Sequence, residues 1–491
     1  MKCVKKMMCL CLILAMVAVL SACSKAEKTD TPAKDNEGDH QQVEQQDDKQ
    51  EEKDDQQEEE KEPEVVEETY DLGGRVIRFV TQNLNEDNPF HEEAPQNEDT
   101  ENRQKIHKQV EEKYNVKIEY VAYQKPEEER AEEIMTSVLA GEPIADIARI
   151  SSYYVSQLAA GDFLEPIDAY LDDIQLPDFS LQVGAFKGKH FGFDTAFMGG
   201  DQGLFFNKRL VEEAGLENPT AVHKRGEWTF DTFMEYAREL KQVLPEDIHP
   251  ISMDPAYFGL FIVGANGGSI LDPDTNEVAF TRPESIEAIE YLQKFYQEGL
   301  VMPVPTDAEG EKSYWSGPRD AFKQGQSVFT HGHIWEAAYG YNNDLEDEWG
   351  YVPFPYGPNV KSDFSNYHTA VFDSGAKVIL KGSKDPEMVL RIWHDLMWLD
   401  HYPTLDEAKE EFALNNESIF PEEESIEAMN WARERAYIER ITMFRTADTS
   451  AYSFYGKSIR GIAEEGLSVR STLESIASEV ESVVKQATGE Q

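Results

Sequence analysis

Cysteine is confined to the start of this chain. All four cysteines lie within the first 23 residues, as Cys3, Cys9, Cys11 and Cys23. The body after Cys23 therefore has no disulfide framework, no cysteine zinc site and no thiol nucleophile. Basic residues are scarce as well: 46 Lys and Arg stand against 95 Asp and Glu, a formal net charge of −49. Proteins that hold nucleic acid neutralise phosphates with Lys and Arg, so this balance excludes a general nucleic-acid binder. It also weakly disfavours capture of polyanions, because exposed charges are screened beyond about 10 Å. No apolar run in the body approaches the roughly 20 residues of a membrane span. The motifs H-E-x-x-H, G-x-S-x-G and G-x4-G-K-[ST] are missing, which removes common hydrolase and phosphate-loop chemistries. Gly456-Lys457-Ser458 lacks the upstream glycine that a phosphate loop needs.

Two segments precede the body. Lys2, Lys5 and Lys6 lead into an unbroken apolar run, Met7 to Leu20, too short for an ordinary span and suited to a signal-peptide core. Leu20-Ser21-Ala22-Cys23 follows and resembles a lipobox, so Cys23 is expected to be lipidated and to become the mature N-terminus. Two acyl chains there would hold the protein stably at a membrane, where one is marginal. Residues 24–69 carry 19 acids and 6 lysines, no aromatic, and only Val43, Val65 and Val66 as large aliphatics. Such a segment buries too little apolar surface to offset its chain entropy, and reads as a disordered acidic tether. As a coil it reaches about 40 Å. An acidic recognition tail is the other reading. With the tether's −13 and the three leader lysines set aside, the body carries −39.

At 40% hydrophobic and 11% aromatic, the body can build a core. Its length suits two domains or two large lobes. Arg75–Thr81 follows Gly73-Gly74 and predicts a strand, and Val116–Val121 alternates like another. Between them Asn102–Tyr114 predicts a helix with Ile106, Val110 and Tyr114 on one face. Glu127–Ala140 is helical up to Gly141-Glu142-Pro143, and Ala145–Ile150 is a short apolar strand. Gly203–Asn207 reads as a strand running into a helix. Thr229–Leu244, Glu284–Glu298, Pro386–Leu399 and Leu473–Val484 are amphipathic helices. Strands alternating with helices indicate an α/β fold with a mostly parallel sheet.

Several stretches carry a resemblance. Ala145–Pro166 (ADIARISSYYVSQLAAGDFLEP) has a strand, a loop, a helix and an L-x-P ending. Gly188–Asn207 (GKHFGFDTAFMGGDQGLFFN) leads into Lys208–Leu216. Glu227–Leu240 holds a W-T-x-D-x-F helix, Ala321–Trp335 reads AFKQGQSVFTHGHIW, and Trp349–Pro358 reads WGYVPFPYGP. Together with Gly375–Trp398, and in this order, they resemble the extracellular solute-binding proteins of ABC importers, in the large carbohydrate-binding class. His333-Ile334 before Trp335, and Phe205-Phe206 in place of an aromatic-Tyr pair, depart from the pattern and leave the ligand's identity open.

The resemblance implies a two-lobe periplasmic-binding-protein-like fold of type II, with a ligand cleft between lobes joined by hinge strands. Residues 70–200 plus 356–400 are expected to form the first lobe, and 201–355 plus 401–491 the second. Crossings are expected near 197–203, 351–356 and 399–404. It further implies a lipid-anchored binding protein, not an enzyme, that hands a sugar or oligosaccharide to ABC permease subunits. No cofactor is implied, and a monomer on the outer membrane face is expected, at a Gram-positive surface or in a periplasm. A secreted glycoside hydrolase and a sensory binding protein docking to a receptor kinase remain alternatives.

A sugar cleft needs aromatic platforms for ring faces and planar polar groups for hydroxyls, on loops after strand ends. Gln82 and Asn83 follow the first strand, and Ser151, Ser152 and Tyr153 follow ADIARI, where the serines could equally cap a helix. Asp201 and Gln202 sit in a Gly-rich crossing. Trp335 matches the family's cleft tryptophan; Tyr257 and Phe258 fall where the family often offers a platform. Asp373 precedes a strand, and Tyr452, Phe454 and Tyr455 fall in a stretch read as a late loop. Two metal-like patterns fail on count. His331-Gly332-His333 lacks a third ligand. Asp272 to Asn276 opens like a calcium loop but continues with Glu277 where glycine belongs.

Overall fold

The main strands and helices of the first lobe come first along the chain. They are β1 (Arg75–Thr81), α1 (Glu98–Tyr114), β2 (Val116–Ala122), α2 (Arg130–Leu139), β3 (Ile147–Ser151), α3 (Val155–Ala160) and β4 (Gly192–Phe193). The computed structural model describes residues 70–194, 202–306, 310–371, 375–398, 419–420, 422–446 and 449–489. The leader, the tether, Cys23, Asp201, Asp373 and the expected crossing at 399–404 lie outside the described residues. Beyond β4 come β5 (Gly203–Asn207), α4 (Phe230–Val243), β6 (His249–Ser252), α5 (Pro255–Ala265), α6 (Pro283–Gln297), β7 (Ser327–Gly332) and β8 (Trp349–Val352). The last elements are β9 (Thr369–Val371), β10 (Gly375–Ile379), α7 (Pro386–Trp398), α8 (Glu423–Arg433), β11 (Ala436–Ile438), α9 (Ala451–Glu465) and α10 (Val469–Thr488).

The first sheet has the order β2-β1-β3-β10-β4, and the second β8-β5-β7-β6. The expectation of a mostly parallel sheet needs correction. β1 runs parallel to β2 and β3, and β6 to β7, but β10 is antiparallel to β3 and β4, and β5 to β7 and β8. The physical reason is that β10 and β5 begin where the chain arrives from the other lobe, so neither is fed by a right-handed βαβ crossover.

Each sheet is covered. Ile77 and Phe79 of β1 pack with Ile106, Val110 and Tyr114 of α1 and Trp393 of α7 on one face, while Val80 joins Ile134 of α2 and Leu158 of α3 on the other. Burial on both faces is why β3 reads as a short apolar run, whereas β1 keeps Val76 and Arg78 exposed in its first half. The second core gathers Trp228, Phe233, Phe258, Leu292, Phe329 and Tyr455, all fully buried. At the outer edge of the first sheet, Glu111 Oε1 of α1 accepts the Ile118 backbone N–H of β2 at 2.9 Å, so this edge donor is occupied.

The second crossing is not at 351–356. Tyr351 and Val352 pair with Phe205 and Leu204 inside the second sheet. The following residues are pinned to the same lobe: Tyr356 N donates to Trp228 O (2.9 Å), Gly357 N to Ala265 O (2.9 Å), and Trp228 Nε1 to Pro353 O (3.0 Å). The passage to the first sheet falls between β9 and β10, and β9 is itself paired in parallel with β11. The stretch read as a late loop is also corrected. Ser450 accepts the Ser453 N–H as an N-cap and Gly466 closes the helix in the left-handed region at φ 71°, so 451–465 is the helix α9. At the head of β5, a Cβ on Gly203 would stand 2.4 Å from the Tyr351 ring, which is why this strand starts with glycine.

Buried histidines make stability depend on pH, His107 and His223 among them. His107 bonds Arg103 O (2.8 Å) and the Tyr120 hydroxyl (2.6 Å), and His223 bonds the Tyr356 hydroxyl. Burial lowers both to about 4. The unfolded chain takes up these protons near pH 6.5, the folded chain only near 4. Their share of stability is thus full above pH 6.5 and falls as the pH drops toward 4. Urea unfolding at pH 7 and pH 5 should show a loss of about 2 kcal/mol for each buried histidine. In His107→Gln the loss over that interval should shrink by one such share.

Candidate functional site

Both sheets present their candidate residues at the ends where the crossings attach. Ser151, the last residue of β3, lies opposite Gly375, the first of β10. Gly332, the last of β7, lies opposite Gly203, the first of β5. Strand pairing therefore fixes both groups at the hinge side of their lobes.

On the first lobe, Ser151 Oγ donates to Glu127 Oε1 at 3.0 Å and the Tyr153 hydroxyl to the same oxygen at 2.5 Å. The Tyr153 bond leads the causes that hold the Glu127 carboxyl below the usual range. The Arg445 guanidinium lies 4.8 Å from the Tyr153 ring centroid and 4.9 Å from that of Tyr154. Ser152 is buried. Gln82 is exposed and its Oε1 accepts from Arg130 Nη1. Asn83 Nδ2 donates to Glu86 Oε2 at 2.9 Å, and Asn83 sits at the start of a short helix, 84–87, in a turn-forming role. Arg149 Nη1 binds both oxygens of Asp87 at 2.9 Å.

On the second lobe, two tryptophans stand out from the surface. Trp335 is 42% exposed and Trp315 is 50% exposed. Their ring centroids are 6.5 Å apart with planes 29° from parallel. His333 stacks on Trp335 at 6.1 Å, and Tyr257 meets Trp315 edge-on at 5.6 Å. Tyr452 lies against Tyr257 at 5.9 Å with planes 25° apart. These tyrosines are set by Asp254, which caps α5 through the Ala256 N–H (2.9 Å) and binds Arg460 of α9 at 3.2 and 2.8 Å. Burial raises the Asp254 pKa against the pull of that guanidinium. A recess of about 20 Å³ lies among Tyr257, Trp315, Arg319, His333 and Glu336. That is room for one water or one small substituent.

Gln202, at the head of β5, is buried and its Nε2 bonds His333 Nδ1 at 2.9 Å, while its Oε1 is buried without a partner. The Tyr452 hydroxyl is likewise buried and unpartnered. Phe258 and Tyr455 correct the sequence reading. Both are fully buried; Phe258 packs edge-on against Phe354 (5.3 Å), and the Tyr455 hydroxyl donates to Gly259 O at 3.2 Å. They occupy the core-facing sides of α5 and α9, so neither offers a face to a solute. Phe454 is half-buried against the same core.

The histidine pair is divided between two jobs. His331 Nε2 accepts the Asp254 backbone N–H at 3.1 Å, and burial, then His333 and Arg319, push its pKa down to about 3. Its neighbour His333 serves Gln202. Asp272 closes a turn by accepting the N–H groups of Asp274 and Thr275 (3.1 Å each) and binds Arg282 at 2.8 Å.

Sequence reasoning missed Trp315, Arg319, Glu336 and Glu127. Trp315 had a signal: a large aromatic in Ser-Tyr-Trp-Ser-Gly-Pro, an irregular stretch just before a helix with proline in its first turn. Glu127 had none, since it is one acid among three in a row.

Comparison with known proteins fits this geometry. The sugar-binding protein MalE of Xanthomonas citri superposes with a TM-score of 0.61 at 14% identity, over 84% of this chain and 98% of that one. A cyclo/maltodextrin-binding protein solved with maltotetraose gives 0.60 at 16% identity, over 85% and 99%. At such identities the likeness is one of fold. A protein of Brucella abortus (strain 2308), named only as a binding protein, is 24% identical over 204 residues, 40% of this chain; the match spans 45% of the relative's length. The family described as bacterial extracellular solute-binding protein matches residues 94–387, more than half of the chain. With two sheets whose candidate residues gather at the crossings, this chain belongs to the family of bacterial extracellular solute-binding proteins.

Proposed function

We propose that this chain is a lipid-anchored carbohydrate-binding protein that captures a sugar or oligosaccharide between its lobes and delivers it to an ABC permease. The observation that carries the reading is the pair of exposed indoles at the hinge-side end of the second sheet. Aromatic faces that the protein leaves uncovered suit the apolar faces of sugar rings. Hydroxyl partners stand at the matching end of the first sheet, where Glu127, Ser151 and Tyr153 share one hydrogen-bonded group. Solved neighbours point the same way, since one holds maltotetraose and another is named a sugar-binding protein. Closure would be a hinge motion that the solute favours by binding the closed state better. Binding rather than hydrolysis agrees with the family.

The test is a melting screen of residues 70–491 against oligosaccharides. A ligand at 100 times its Kd adds about 2.7 kcal/mol and should raise Tm selectively, with the sugar recovered intact. Trp335→Ala should weaken that binding by about 1–3 kcal/mol, by analogy with stacking on other aromatic platforms, and leave Tm without ligand nearly unchanged. A flat screen would overturn the carbohydrate reading. A fall in ligand-free Tm with unchanged affinity would assign Trp335 to packing.

The anchor is tested separately. Leu20-Ser21-Ala22-Cys23 supports lipidation at Cys23. In a bacterial host, Cys23→Ser should move the protein from the detergent-extracted membrane fraction into the medium or periplasm. Unchanged membrane retention would reject the anchor.

A further inference from the structure

Trp315 and Trp335 are half-exposed and each rests on one aromatic neighbour, Tyr257 and His333 respectively, yet the two indoles keep a defined mutual angle. One side chain touches both. The Arg319 guanidinium carbon lies 4.5 Å from the Trp315 ring centroid and 5.6 Å from that of Trp335. Both distances fall inside the range of cation–π attraction. Arg319 is in turn fastened at two points. Its Nε donates to Trp315 O at 2.9 Å, and its Nη1 donates to Glu336 Oε1 at 3.3 Å. Glu336 is only 5% exposed at its side chain and its other oxygen accepts the Tyr341 hydroxyl at 3.3 Å. Gly332 makes room for that carboxylate, because a Cβ there would stand 2.3 Å from Glu336 Oε2. The chain of contacts therefore runs from a glycine at the end of β7, through a buried carboxylate, to a guanidinium under two indoles.

We infer that Arg319 is a positioning residue that fixes Trp315 and Trp335 as one two-ring platform, so that the preferred solute presents two successive ring faces. The second half of this statement rests on the carbohydrate reading above; the first does not. A planar guanidinium can lie against two indoles while its edge nitrogens keep their hydrogen bonds. A lysine keeps the charge near Glu336 but has no plane to stack. The 6.5 Å spacing and 29° tilt give two neighbouring, slightly turned surfaces, suited to a curved chain of rings more than to one ring.

The test uses the unliganded protein first. Two indoles held at a fixed angle give an exciton couplet in circular dichroism, measured as the difference between the native chain and Trp335→Phe, which removes the pair. Arg319→Ala should abolish this couplet while the cooperative melting transition stays within a few degrees. Arg319→Lys should fail to restore it. A couplet that survives Arg319→Ala in a folded protein overturns the positioning role. If Arg319→Ala does not fold, Arg319→Gln supplies the same comparison, because glutamine keeps a donor to Glu336 without the stacking plane. The second arm takes the carbohydrate selected in the melting screen and its single-ring unit. Arg319→Ala should weaken the longer sugar at least fivefold and the single ring less than twofold. Equal losses for both overturn the two-ring platform. A screen that selects no carbohydrate rejects the functional reading and leaves the couplet to decide Arg319.

Discussion

Each lobe depends on a strand that begins where the chain arrives from the other lobe. β10 lies between β3 and β4, and β5 between β7 and β8, so the arriving strands are interior to their sheets. This pairing places Ser151 beside Gly375 and Gly332 beside Gly203. Backbone hydrogen bonds inside a covered sheet are costly to leave unmade, so the register there is firmly set. The candidate groups inherit that precision. The side chains that differ between solutes can vary on the loops while the geometry that brings them together stays fixed.

Charge follows the same plan. The body carries a large excess of acid, and cations near the crossings serve position. Lys377, in the middle of β10, reaches Asp194, just after β4, at 3.0 Å, and this buried pair ties β10 to the end of β4. Breaking one partner of such a pair strands a buried charge, so both are held together by the cost of separation. Arg445 lies over Tyr153 and Tyr154, and Ser156 Oγ donates to Met443 O at 2.8 Å, which fastens the segment before α9 to the first lobe.

Much of the architecture was legible in the sequence. Periodicity located β1, β2, β5 and most long helices to within a few residues, because their apolar faces are continuous and their ends carry Gly or Pro. The crossing misplaced at 351–356 shows the limit. Trp349 to Tyr356 is aromatic and Pro-rich, and nothing local says which sheet it joins; long-range bonds to Trp228 and Ala265 decide that. The aromatic residues divide in the same way. Trp335 is marked by its match to the cleft tryptophan of the resembled family, whereas Phe258 and Tyr455 sit at helical spacing, where the buried and exposed sides look alike in sequence. Trp315 stands 20 residues before Trp335, and only the fold makes them neighbours.

The placement of β10 also governs when the first lobe can exist. Its central pairing joins residues 147–151 to 375–379, so the sheet stays incomplete until more than three quarters of the chain is available. Contacts this distant in sequence form slowly, because the loop must close before they contribute. A nascent chain therefore passes a long interval with its first hundred or so body residues unable to lock. Under the lipid-anchored reading proposed above, that delay suits export, because a polypeptide whose sheet has not closed is thin enough to be threaded.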